Sequence, residues 1–137
     1  MTVSLSHTFL MVLDFDEALA FYRDLVGLEV VNDVMFDEYR WLTLGAPGQK
    51  GVEIGLMVPG SFPNTTAADR QATADLVTKG LMPGLIFTID DCDKTFEKLK
   101  DAGAEVLQEP IDQPYGVRDC AFRDPAGNSV RFSQVLS

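Results

Sequence analysis

The chain has 137 residues and a mass of 15.1 kDa, enough for one domain with a sizeable core or two half-domains packed together, and 46% hydrophobic with 23% charged residues is ordinary globular composition. A formal charge of -10, from 11 basic against 21 acidic residues, argues against binding a phosphate backbone, which needs clustered Lys and Arg to displace counterions. No apolar run reaches the roughly 20 residues of a membrane span, the start MTVSLSHTFL lacks the basic segment of a secretion signal, and two cysteines, Cys92 and Cys120, are too few for a disulfide framework; a soluble cytoplasmic protein with reduced, partly buried thiols is expected.

In chain order, residues 5–13 are apolar apart from Ser6, His7 and Thr8 and read as a strand whose period of two puts Leu5, His7, Phe9 and Met11 on one face. Asp14 stands three residues before Glu17, the spacing of a helix start. Ala18, Leu19, Phe21, Tyr22, Leu25 and Val26 then recur at helical spacing until Gly27 stops the helix. Strands are expected at 28–32, 39–44 and 52–58, the last after the turn Ala46-Pro47-Gly48. Residues 60–83 form a polar connection with a short helix near 67–79. The pattern then returns: a strand at 85–89, a helix at about 93–102, and strands near 105–109, 118–123 and 129–134, with the turn residues Asp124-Pro125-Ala126-Gly127-Asn128 between the last two.

The return is a repeat. Sliding HTFLMVLDFDEALAFYRDLVG by 77 residues puts His7 on Gly84, Asp14 on Asp91 and Asp24 on Asp101; one residue is then dropped, and Gly27 meets Gly103. Two copies of one module suggest a single domain over 1–137: a first module at about 3–59, the connection at about 60–83, and a second module at about 84–137.

With the ending GVRDCAFRDPAGNSVRFSQ, these stretches resemble the vicinal oxygen chelate superfamily of glyoxalase I, bleomycin resistance proteins and extradiol dioxygenases. RWLTLGAPGQKGVEIGLMVPG followed by EPIDQPYG is most similar to a branch of small glyoxalase-like proteins without an established reaction. The resemblance implies an α+β fold of two tandem βαβββ modules, with curled mixed sheets enclosing one cavity, helices on the outer face, and commonly a homodimer. It also implies a divalent metal held by four side chains, which fall here on His7, Glu53, Gly84 and Arg131. Glycine offers no ligand and arginine repels a cation, so no metal or other cofactor is expected. His7 is the sole histidine, so the two-His triad of an extradiol dioxygenase cannot form within one subunit.

His7 is either a cavity-wall histidine or a surviving ligand or general base. Arg131 either pairs with Glu53 as a charge-compensated cavity floor or reaches solvent from its strand. These three are the candidate catalytic residues, and Phe9, Met11, Trp41, Met57, Ile86 and Tyr115 are the candidate ligand contacts. The carboxylates at Asp14, Asp16, Glu17, Asp90 and Asp91 read as helix N-terminal caps rather than a catalytic pair. No GxGxxG, Walker loop, GxSxG or zinc spacing is present. A protein that binds an aromatic or cationic small molecule is expected, with no nucleic-acid or membrane partner; the alternative is a glyoxalase-like lyase or isomerase using His7 or Glu53 as base.

Overall fold

The computed structural model describes residues 1–137. The elements run in the order β1 (His7–Met11), α1 (Phe15–Leu19, continued by a π-helical segment Ala20–Leu25), β2 (Glu29–Phe36), β3 (Tyr39–Gly45), β4 (Glu53–Met57), α2 (Ala67–Thr78), β5 (Leu85–Thr88), α3 (Cys92–Asp101), β6 (Glu105–Asp112), β7 (Val117–Arg123) and β8 (Ser129–Val135). A single 3-10 turn, Pro59–Ser61, comes after β4. No helix is long and apolar enough to cross a membrane. The chain divides into two compact units, Met1–Asp75 and Leu76–Ser137, with the boundary inside α2.

Both module helices start as their sequences require. The Asp14 side chain accepts from the Glu17 N–H at 2.8 Å, and the Asp91 side chain accepts from the Lys94 N–H at 3.1 Å. Each bond satisfies an otherwise unpaired helix donor and stabilises by about 1 kcal/mol. The residue by which the first copy exceeds the second lies between Asp24 and Gly27, where the backbone is π-helical. Winding the extra residue into a wider turn lets both helices end on a glycine with positive φ, 94° at Gly27 and 90° at Gly103.

The first unit holds one four-stranded sheet in the order β1-β4-β3-β2, parallel between β1 and β4 and antiparallel elsewhere. The second repeats it as β5-β8-β7-β6. One face of each sheet carries the core. Leu10, Leu42, Leu44 and Leu56 are buried in the first unit, as are Ala18, Leu19, Phe21 and Tyr22 of its helix. In the second, α3 packs on the sheet with the Phe96 and Phe122 ring centroids 5.5 Å apart, and Phe122 meets Phe132 edge-on at 6.3 Å.

The paired βαβββ modules are present, but the expected curled sheets enclosing one cavity are not. Each sheet is open and ends on edge strands, β1 and β2 in one and β5 and β6 in the other. Four strands are about half of what closing a sheet around an interior requires. The side chains expected to line an enclosed interior are correspondingly exposed, Phe9 by 50% and Ile86 by 72%.

Candidate functional site

Both sheets direct polar and aromatic side chains to the face opposite the core, and both are shaped by the same irregularity. In β2 the register with β3 slips by one residue between Val30 and Asn32, and in β6 it slips against β7 between Val106 and Gln108. The extra residue in each copy, Val31 or Leu107, re-aims its C-terminal neighbour. That neighbour is an amide in both cases, and each amide is aimed at a carboxylate. Asn32 Nδ2 donates to Glu53 Oε1 at 3.0 Å, and Gln108 Nε2 donates to Asp119 Oδ1 at 2.8 Å.

In the first unit Glu53 Oε1 also accepts from the Thr43 hydroxyl at 2.6 Å. His7 lies directly across from Glu53 in the β1–β4 register. Its Nε2 is 3.7 Å from Glu53 Oε2, an ion-pair distance rather than a hydrogen bond, while Nδ1 is 2.9 Å from the Ser6 hydroxyl. Trp41 joins the group, its ring centroid 5.6 Å from that of His7 and 6.1 Å from that of Phe9. Met11 and Met57 pair in register on the same face. His7, Glu53, Phe9, Trp41, Met11 and Met57 therefore share one open sheet face. A cleft of about 400 Å³ in the same unit contains none of them; it is lined by Phe15, Tyr39, Arg40 and Phe62 among others.

In the second unit the centre is Asp119, which the sequence reading missed. Its side chain is 1% exposed. Oδ1 accepts from Gln108 and, at 2.9 Å, from Gln113 Nε2; Oδ2 faces Arg131 Nη1 at 3.2 Å and the Tyr115 hydroxyl at 3.4 Å. Burial pushes the Asp119 carboxyl up, but the hydrogen bonds from Gln113 and Gln108 and the Arg131 charge outweigh it and hold the group below its usual range. Arg131 Nη1 also donates to Gln108 Oε1 at 2.8 Å. Arg131 is thus neither paired with Glu53 nor simply solvated: its partner is a carboxylate of its own sheet. The available signal was the spacing that makes Gln108 the repeat of Asn32. Ile86 lies beside Arg131 in register, and Tyr115, 69% exposed, stands on the β6–β7 turn.

The sequence profile of the Glyoxalase/Bleomycin resistance protein/Dioxygenase superfamily matches residues 4–132. The chain belongs to this superfamily. The uncharacterized protein YurT of Bacillus subtilis (strain 168) is 31% identical over 128 residues, covering 93% of this chain and 95% of its own. The crystal structure of UcmS2 is similar with a TM-score of 0.88 at 34% identity, covering 97% of this chain and 98% of that one. The structure of TnmS3, an antibiotic binding protein from Streptomyces sp. CB03234, has a TM-score of 0.75 at 26% identity, with 98% of both chains covered. The chain thus has the superfamily's small-molecule-binding fold.

Within that fold, strand register revises which positions are equivalent. Ile86 repeats Phe9, and it pairs with Arg131, whereas Phe9 pairs with Gly55. The counterpart of Arg131 is therefore Gly55 and not Glu53. The ring of Phe9 covers Gly55, and a Cβ there would lie 2.6 Å from Phe9 Cδ1 and Cε1. At Gly84, the repeat of His7, a Cβ would overlap the Ser129 carbonyl oxygen, so the backbone admits no side chain. The four positions of a metal centre in superfamily enzymes then hold one histidine, two glycines and an arginine. No group of three or more His, Cys, Asp or Glu side chains converges to hold a metal ion. These residues do not fit the metal.

Proposed function

We propose that this protein binds and sequesters an aromatic small molecule without a metal. The observation that carries the reading is the aromatic face of the first sheet, where Phe9 lies over the glycine at a metal-ligand position and Trp41 stands edge-on to it at 6.1 Å. Aromatic rings offer large contact area for stacking, and the Glu53 carboxylate is already held by Asn32 and Thr43. The similarity to TnmS3, described as an antibiotic binding protein, supports a ligand of that kind. A homodimer belongs to the same reading, supported by exposed apolar residues such as Phe9, Phe36 and Ile86.

The chain's single tryptophan is Trp41, so binding has an intrinsic reporter. A panel of aromatic antibiotics, bleomycin among them, is screened by Trp41 emission and thermal shift. A compound that quenches the emission and raises the melting temperature is expected, since binding the native state stabilises it. If no compound moves either signal, the reading fails.

A second reading, a lyase or isomerase with His7 as base, is favoured by the 3.7 Å approach of His7 Nε2 to Glu53 Oε2. A nearby carboxylate offsets the charge that gathers on an imidazole as it takes a proton from a substrate. Should the chain turn over an α-ketoaldehyde-derived thiohemiacetal and His7→Ala abolish it, this reading replaces the first.

A further inference from the structure

Arg131 is gripped on one nitrogen and open on the other two. Nη1 faces Asp119 Oδ2 at 3.2 Å and donates to Gln108 Oε1 at 2.8 Å, while Nε and Nη2 bond to nothing in the protein. The side chain is nevertheless only 31% exposed. Asp119 and Gln108 are themselves fixed, the first by Gln113 and Tyr115 and the second through Nε2 to the Asp119 side chain and main chain. The guanidinium plane is therefore held in place before any ligand arrives.

The open edge is the one that this protein uses elsewhere for carboxylates. Arg40 grips Asp33 with Nε and Nη2, both at 2.9 Å. Arg23 uses the same two nitrogens on Asp24, at 2.8 and 3.3 Å, while Arg118 brings both to a single oxygen, Asp93 Oδ1, at 3.1 and 3.0 Å. Two parallel N–H groups match the spacing of two carboxylate oxygens. The flanks suit an aromatic acid: Ile86, exposed and in register on one side, offers apolar surface, and Ala121, in register on the other, is too short to obstruct the fork.

We infer that the Nε–Nη2 edge of Arg131 is a recognition element on the second sheet for the carboxylate of a small aromatic acid. The inference rests on the reading that this fold binds a small molecule and concerns the second sheet alone. Asp119 lowers the cost of holding the cation when no ligand is bound. The carboxylate of such an acid completes the second side of a guanidinium whose side chain is only partly exposed. A pre-positioned fork loses less side-chain freedom on binding than a freely solvated arginine would.

The test is calorimetric titration with naphthalene-2-carboxylate and with 2-naphthamide, its neutral counterpart. The wild-type protein is expected to bind the carboxylate about tenfold more tightly than the amide. Arg131→Gln should erase that preference. Because this variant leaves Asp119 without its cation, Arg131→Lys is measured beside it. A lysine keeps the charge near Asp119 but lacks the fork, so its melting temperature should stay near that of the wild type while the preference falls below about threefold. Equal affinity for acid and amide, an unchanged preference in Arg131→Lys, or no binding of either probe overturns the inference. Binding of the amide or of an uncharged antibiotic in those cases leaves the small-molecule reading standing; failure of the antibiotic panel as well removes both.

Discussion

Phe9 occupies the space above Gly55 that a side chain at position 55 would need, its Cδ1 and Cε1 each 2.6 Å from where a Cβ would be. Gly55→Ala must therefore push the ring aside. Phe9 is half exposed and its ring can swing outward, so the strain is offset in part by the entropy that alanine removes from the unfolded chain. The expected result is a stability change within about 1 kcal/mol in denaturant titration, together with a clear shift in Trp41 emission. Unchanged emission would show that Phe9 does not rest there.

Gly84 gives the opposite balance. The atom a Cβ would strike is the Ser129 main-chain carbonyl, held between paired strands, and no side chain can rotate away to relieve it. Gly84→Ala should destabilise by about 2 to 3 kcal/mol, the cost of forcing strands apart in a packed sheet. A melting temperature equal to wild type would contradict the close β5–β8 approach.

The Asp119 cluster predicts an acid limb. A carboxyl held below its ordinary value in the folded protein binds fewer protons there than in the unfolded chain, so its stabilising effect is complete above the unfolded value near 4. That effect is lost as pH falls through the lowered folded value. Asp119→Asn should flatten the loss of thermal stability between about pH 5 and pH 2.5 relative to wild type, because nothing at position 119 then titrates. Parallel curves for the two proteins would assign the acid limb to other carboxylates.

Cys92 and Cys120 are both buried, and burial pushes both thiols up. Burial, reinforced by the neighbouring Cys92, pushes the Cys120 thiol up to about 12. The thiolate is the reactive form, so neither cysteine should react with Ellman's reagent at pH 8 in the native protein, and both should react in guanidinium. Rapid labelling of the native protein would mean that this end of α3 opens readily.

The fold was readable because its signals were local. Asp14 and Asp91 marked helix starts, Gly27 and Gly103 marked helix ends, and alternation marked the strands, so every expected element has a counterpart within a few residues. The extra residue after Asp24 was visible as a gap in the repeat, but whether it would become a loop or a π-turn depends on hydrogen bonds that no pattern encodes. Sheet closure was not local and was misread. The site was half legible: His7, Glu53, Phe9 and Trp41 do gather on one face, since strand parity alone places them there. Matching Glu53 to Arg131 failed because inter-strand register, off by two in that comparison, is fixed by pairing across the sheet. Asp119 was missed because a buried aspartate one residue from a cysteine in an alternating strand carries no mark of the four side chains that converge on it.

The turn between β7 and β8 bears on how this protein can be divided. Asp124 Oδ1 accepts the N–H groups of Ala126, Gly127 and Asn128, each at 2.9 Å, and Gly127 passes so near the end of α2 that a Cβ would lie 2.5 Å from the Val77 carbonyl oxygen. Val77 is itself fully buried. The last turn of the connecting helix is thus a structural part of the second copy, although the internal repeat does not begin until Gly84. A fragment cut where the repeat starts would strip the floor from under its own hairpin.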